Sequence, residues 1–191
     1  MTHKLWLQKQ KLNYNKNVFD IIQFGSSTIE NKLPNDVDIA VLFQKIPLKE
    51  QLVYSQEIKK QLQKITDLPI HIKSFDLYSF FDSANFTREN ILFHGISLID
   101  KKFFSEKLGF IPKIQIYYSL ERMGKNEKIK FNYMLSGRGG KYGLLKKYNG
   151  NLIRPGLVEI SPNYENIFIE KISALTKKFR IKKVLVSSES K

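Results

Sequence analysis

The sequence predicts an α+β protein: a mixed β-sheet flanked by helices over residues 1–109, then a smaller basic α+β module over 110–191. Three observations predict it. Short apolar runs of strand length alternate with stretches at helical period. Gly and Pro signals at Gly109–Pro112, just after Lys101-Lys102, break the chain near its middle. The charge also changes there. Residues 1–100 hold 12 Lys+Arg and 11 Asp+Glu, whereas residues 101–191 hold 20 and 7, so nearly all of the net +14 lies in the second half.

The elements follow in order. Leu5 to Lys16 reads as a helix. Val18–Phe24 reads as a strand closed by Gly25-Ser26-Ser27. Asp36–Phe43 is a second strand, and its unbroken apolar run Ile39–Leu42 suits burial on both faces. Leu48 to Ile65 predicts a helix with Leu48, Leu52, Ile58, Leu62 and Ile65 as its apolar stripe. A third strand covers Pro69–Phe75, with Asp76 beyond it. A helix over Asn85–Phe93 and a short strand over Ile96–Ile99 complete the first part. In the second part, Lys113–Leu120 is extended, and Lys128–Leu135 is helix or strand. Gly137–Gly143 is a loop, Leu144–Tyr148 a short helix and Leu157–Ile160 a strand. Tyr164–Phe179 is a helix with Phe168, Ile172, Leu175 and Phe179 on one face. Ile181–Val186 is a last strand, and Ser187–Lys191 a frayed tail.

Composition excludes several classes. With 42% hydrophobic and 13% aromatic residues the chain can bury a core, unlike a disordered polymer. The absence of Cys removes disulfides and thiolate metal sites, and three histidines, His3, His71 and His94, make a zinc site unpromising. No apolar run approaches the roughly 20 residues of a membrane span. The N-terminus lacks the apolar core of a secretion signal. The expectation is a soluble, cytoplasmic protein.

Chemistry concentrates at Asp36-Val37-Asp38. Carboxylates two residues apart on a strand project to one side. They can share a divalent cation, and Mg2+ is ordinarily held by one or two carboxylates plus substrate phosphates. The preceding strand ends in Phe24-Gly25-Ser26. Gly25 lets the backbone approach a phosphate closely, and Ser26, with the amides from Ser27 onward, can hold a triphosphate. Such a site suits in-line attack on the α-phosphate of a nucleoside triphosphate, with Mg2+ or Mn2+ stabilising the attacking and leaving oxygens.

The whole arrangement is an apolar strand, Gly25-Ser26, nine residues, Asp36-Val37-Asp38 and a second apolar strand. It resembles the signature of the DNA polymerase beta superfamily of nucleotidyltransferases, in particular the minimal nucleotidyltransferases of archaea and bacteria. Asn90–Leu98 resembles the segment that closes that domain, so the likeness spans about residues 18–100 and leaves out the basic second half. It implies a nucleotidyltransferase-type mixed sheet. It also implies a third carboxylate on the neighbouring strand, acting as general base. In Leu68–Phe75, His71 stands about where that group is expected, as a base, as a nitrogen ligand, or as the mark of a site that binds without turnover. Arg88 is a candidate triphosphate contact, with a surface ion pair as the alternative; Lys32 has the same standing.

The second half carries Ser136-Gly137-Arg138-Gly139-Gly140-Lys141-Tyr142-Gly143. The glycines leave backbone amides for phosphates, Arg138, Lys141, Lys146 and Lys147 bring charge, and Tyr142 offers a stacking face. No Ser or Thr follows Lys141, so this is not a Walker A loop. Tyr117, Tyr118, Tyr133, Tyr148 and the cluster Lys177-Lys178, Arg180, Lys182-Lys183 are further candidates for contact with nucleic acid, or half-buried structure and a solvated face.

Three functions fit: a nucleotidyltransferase acting on RNA, tRNA included, or on a protein; an antitoxin paired with a helical HEPN-type toxin; and an RNA-binding protein that kept the fold and lost the base.

Overall fold

The computed structural model describes residues 11–29, 33–139 and 141–188. The chain divides into two compact units, one ending at Phe110 and the other running on from Ile111. Both mix helices and strands, so the protein is α+β. No helix among the described residues is long and apolar enough to cross a membrane.

In the first unit, β1 (Val18–Phe24), β2 (Val37–Phe43), β3 (Ile70–Asp76) and β4 (Ile96–Ser97) form one sheet in the order β3-β2-β1-β4. β1 is antiparallel to β2 and β4, while β2 and β3 run parallel. Every residue of β2 except Asp38 is buried. Its apolar run lacks polar alternation because helices cover both faces. Ile39, Val41 and Phe43 share a core with Ile58 and Leu62 of α1 (Leu48–Gln63). Ala40 and Leu42 share one with Phe80 of α2 (Leu77–Phe81), Ile91 of α3 (Thr87–His94) and Phe104 of α4 (Phe104–Lys107).

Three expectations need correction here. The described part of the predicted first helix, from Lys11 to Lys16, is not helical; the rest of that prediction, and Lys32, lie outside the described residues. Helix α1 turns Gln51, Ser55, Ile58 and Leu62 inward, and leaves Leu48 and Leu52 exposed. On a helical wheel those leucines sit roughly 50–90° from the centre of the buried stripe. The two buried polar groups are satisfied: Gln51 Nε2 donates to the Ile46 carbonyl at 3.1 Å, and the Ser55 and Ser74 hydroxyls lie 2.7 Å apart. Asp76 ends β3 rather than lying past it, and caps α2 by accepting from Ser79 N at 2.7 Å.

In the second unit, β5 (Phe110–Tyr118), β8 (Asn151–Arg154), β9 (Leu157–Ile160) and β10 (Phe179–Ser187) form a sheet in the order β10-β5-β9-β8. Ile114, Ile116, Val158 and Ile160 pack with Phe131 and Leu135 of α5 (Lys125–Ser136), Leu145 of α6 (Leu144–Lys147), and Phe168 and Ile172 of α7 (Glu165–Ser173). By the period of two, Gln115 and Tyr117 point to the opposite face. The stretch read as helix or strand is the helix α5. Helix α7 stops well short of Phe179, which begins β10. Thr176 makes the turn: its hydroxyl donates to the Ser119 carbonyl at 3.2 Å and accepts from Lys178 N at 3.1 Å. Gly137–Gly143 is not an open loop. Gly137-Arg138 (β6) and Lys141-Tyr142 (β7) pair as a hairpin.

Candidate active site

Asp38 lies two residues before Ala40 and so continues the row Ala40–Leu42, on the sheet face that α2, α3 and α4 cover further along. Parallel pairing sets Asp38 beside His71 on β3. The three predicted groups therefore meet. His71 Nδ1 stands 3.4 Å from Asp36 Oδ2 and 3.9 Å from Asp38 Oδ1. The site is open to solvent: the His71 side chain is 62% exposed, and those of Asp36 and Asp38 are 35% and 29% exposed. Burial first, and the Asp36 carboxylate second, hold Asp38 above the ordinary carboxylate range, against the lowering effect of His71 and Lys73.

Antiparallel pairing also brings Phe24 opposite Asp38, so the turn after β1 lies against the carboxylate. Gly25 has φ +74°, and a Cβ there would sit 2.4 Å from Asp38 Oδ2. Only glycine lets the backbone pass this close. The turn Gly25–Thr28 is then locked from within. Ser27 Oγ donates to the Phe24 carbonyl at 3.1 Å, Gln23 Nε2 donates to Ser27 Oγ at 3.1 Å, and Thr28 Oγ1 donates to the Gly25 carbonyl at 2.9 Å. Ser27 is buried, and its hydroxyl serves the turn. Ser26, half-buried, is the serine whose hydroxyl is left for a ligand.

Arg88 has a structural part in this geometry. Its guanidinium donates to the carbonyls of Phe81 and Asp82 and closes the end of α2. Lys73, which sequence reasoning missed, takes the place of a cation near the carboxylates. It follows His71 by two residues on the same face of β3, and its Nζ lies 3.1 Å from Thr87 Oγ1. The period-two row His71–Lys73 was the available signal.

Among the described residues, no group of three or more His, Cys, Asp or Glu could hold a metal ion. The two carboxylates beside Gly25 fit a different arrangement: a hard divalent cation whose remaining positions are filled by water and phosphate oxygens.

In the second unit, Arg138, Lys141, Tyr142, Lys146 and Lys147 are all exposed. Arg138 Cζ lies 4.8 Å from the Tyr133 ring centre and Lys146 Nζ 4.2 Å from that of Tyr142. Gly137 and Gly143 have a packing role. A Cβ on Gly137 would meet the Lys141 carbonyl oxygen at 2.1 Å, and one on Gly143 would meet the Leu135 carbonyl oxygen at 2.2 Å. The Gly137 amide is already used, donating to the Tyr133 carbonyl. No protein-family model matches the chain, and no curated protein is significantly similar to it.

Proposed function

We propose that the first unit transfers a nucleoside monophosphate from a nucleoside triphosphate to an acceptor hydroxyl, with Mg2+ or Mn2+ at Asp36 and Asp38. The observation that carries this reading is the meeting of Asp36, Asp38 and His71 beside a position that only glycine can fill. A bound divalent cation would offset the charge of the triphosphate and of the leaving pyrophosphate. Gly25 lets the turn lie against Asp38, Ser26 offers phosphate oxygens a hydroxyl, and Lys73 adds positive charge on the same face. With Nδ1 turned to two carboxylates, His71 is favoured as the tautomer protonated there, which leaves Nε2 to accept a proton. The acceptor oxygen bonds to the α-phosphorus, the bond to pyrophosphate breaks, and the hydroxyl proton passes to Nε2. The cationic second unit supports nucleic acid, RNA first, as the acceptor.

His71→Ala is expected to slow transfer by about 100-fold, the usual weight of a general base. His71→Asp, which restores a carboxylate base, is expected to recover part of it. Unchanged turnover in His71→Ala would remove His71 from the chemistry. A second reading, binding of RNA without turnover, is favoured by the histidine itself, which stands where the resemblance implies a carboxylate. Absence of transfer with every nucleotide and metal tried, alongside retained RNA binding, would establish it.

A further inference from the structure

We propose that a recess on the second unit, formed by Tyr117, Arg154, Lys178 and Arg180, seats a single strand of nucleic acid. The recess has a volume of about 460 Å³, within the range of pockets that hold a small ligand or one nucleotide. Its floor is the end of β5, at Tyr117, Tyr118 and Ser119. One wall is the β8–β9 turn, Arg154-Pro155-Gly156, and the other is Lys178-Phe179-Arg180 at the start of β10. Backbone hydrogen bonds tie both walls to the floor: Tyr118 N donates to the Gly156 carbonyl at 2.9 Å, and Ser119 N to the Lys178 carbonyl at 3.0 Å. The concavity is thus built into the sheet.

Its chemistry matches a polyanion with flat bases. Three cations line a space of one-nucleotide size. Among the described residues, neither Arg154 nor Arg180 has a carboxylate within 4.0 Å, and the carboxylate nearest to Lys178, that of Glu121, stands at the 4.0 Å limit. Residues 111–191 hold 17 Lys+Arg against 6 Asp+Glu, so the surrounding field favours an anion. Arg180 Cζ stacks 4.6 Å from the Tyr117 ring centre, and the Tyr117 hydroxyl donates to Gln115 Oε1 at 3.1 Å. That pair holds ring and guanidinium plane in place, and both stack with bases of any sequence.

This inference rests on the part of the proposed function that makes the acceptor a nucleic acid, and it is tested without nucleotide transfer. The probes are fluorescent 12-mers of uridylate and of thymidylate, titrated with the full chain at several salt concentrations. The wild type is compared with Arg154→Ala/Lys178→Ala/Arg180→Ala, with Arg180→Gln alone, and with Arg138→Ala/Lys141→Ala on the hairpin. Circular dichroism checks folding. The triple variant is expected to lose at least about 30-fold in affinity, and its slope of log affinity on log salt to fall by about 2, as three lost phosphate contacts require. Arg180→Gln is expected to lose part of this. Equal affinity for both 12-mers, or tighter binding of the uridylate strand, supports the seat and tells whether the 2′-hydroxyl is read. Wild-type affinity in the triple variant, loss confined to the hairpin variant, or no binding of either strand by the wild type would overturn the proposal. Asp36→Ala/Asp38→Ala is expected to bind both strands like the wild type, so an inactive first unit would not be mistaken for a missing seat.

Discussion

Asp38→Asn is expected to lower transfer by about 10³-fold or more, which is about 4 kcal/mol of transition-state stabilisation. The amide keeps the size and shape of the carboxylate, so the tight fit beside Gly25 is preserved. It cannot supply the anionic oxygen that a hard cation requires. Folding stability is expected to hold or to rise slightly. In the wild type, burial first and the Asp36 carboxylate second disfavour the charged form of Asp38, and the amide removes that penalty. The check is a turnover assay paired with a thermal melt. Retained turnover would take Asp38 out of the reaction, and a large fall in the melting midpoint would recast it as a structural residue.

Lys107→Met is expected to destabilise the first unit by about 3 kcal/mol, within the range for breaking a buried ion pair from one side. Its midpoint should then fall by more than about 10 °C. Asp20 is fully buried on β1. Its Oδ1 accepts from Ser97 Oγ and Ile21 N, each at 2.7 Å, and its Oδ2 accepts from Lys107 Nζ at 3.1 Å. The same ammonium reaches Asp100 Oδ2 at 3.1 Å and the Phe19 carbonyl at 3.1 Å. One cation therefore pins the segment after β4 to the central sheet. Burial holds the Asp20 carboxyl above its ordinary range, more than Ser97, Lys107 and the Ile21 amide lower it. The folded state thus binds this proton more tightly than the unfolded state. The stability this confers is present below the unfolded value and is lost as pH rises through the raised folded value. Without Lys107 the folded value climbs further, so the cost of the substitution should shrink as pH falls. Melts of both proteins at pH 8 and pH 5 check this: a narrower gap at pH 5 is expected, and an equal or wider gap would contradict it.

Local chemistry made some of this legible in the chain. β1 and β9 have the predicted bounds because each is a short apolar run between strong turn signals. The carboxylate pair and Gly25 were legible because strand period and glycine freedom are local rules. Tertiary context decided the rest. Helix α1 buries Gln51 and Ser55 because partners on the Ile46 carbonyl and on β3 satisfy them, and no helical wheel contains those partners. The spacing Phe168, Ile172, Leu175, Phe179 continues a helical period by coincidence, across a turn that Thr176 makes with Ser119 from 57 residues away. Arg88 and Ser27 have the right residue types for a phosphate, but nearby backbone carbonyls claim them first. Lys73 and Arg154 passed unnoticed because their meaning lies in what stands beside them.

The most direct test of the central claim asks which phosphorus is attacked. The full chain is incubated with Mg2+ or Mn2+, RNA and a nucleoside triphosphate labelled at the α- or the γ-phosphate, beside Asp36→Ala/Asp38→Ala. The account predicts label on the acceptor from the α-labelled nucleotide only, labelled pyrophosphate from the γ-labelled one, and neither from the double variant. Transfer of the γ-label, or equal transfer by the double variant, would contradict it.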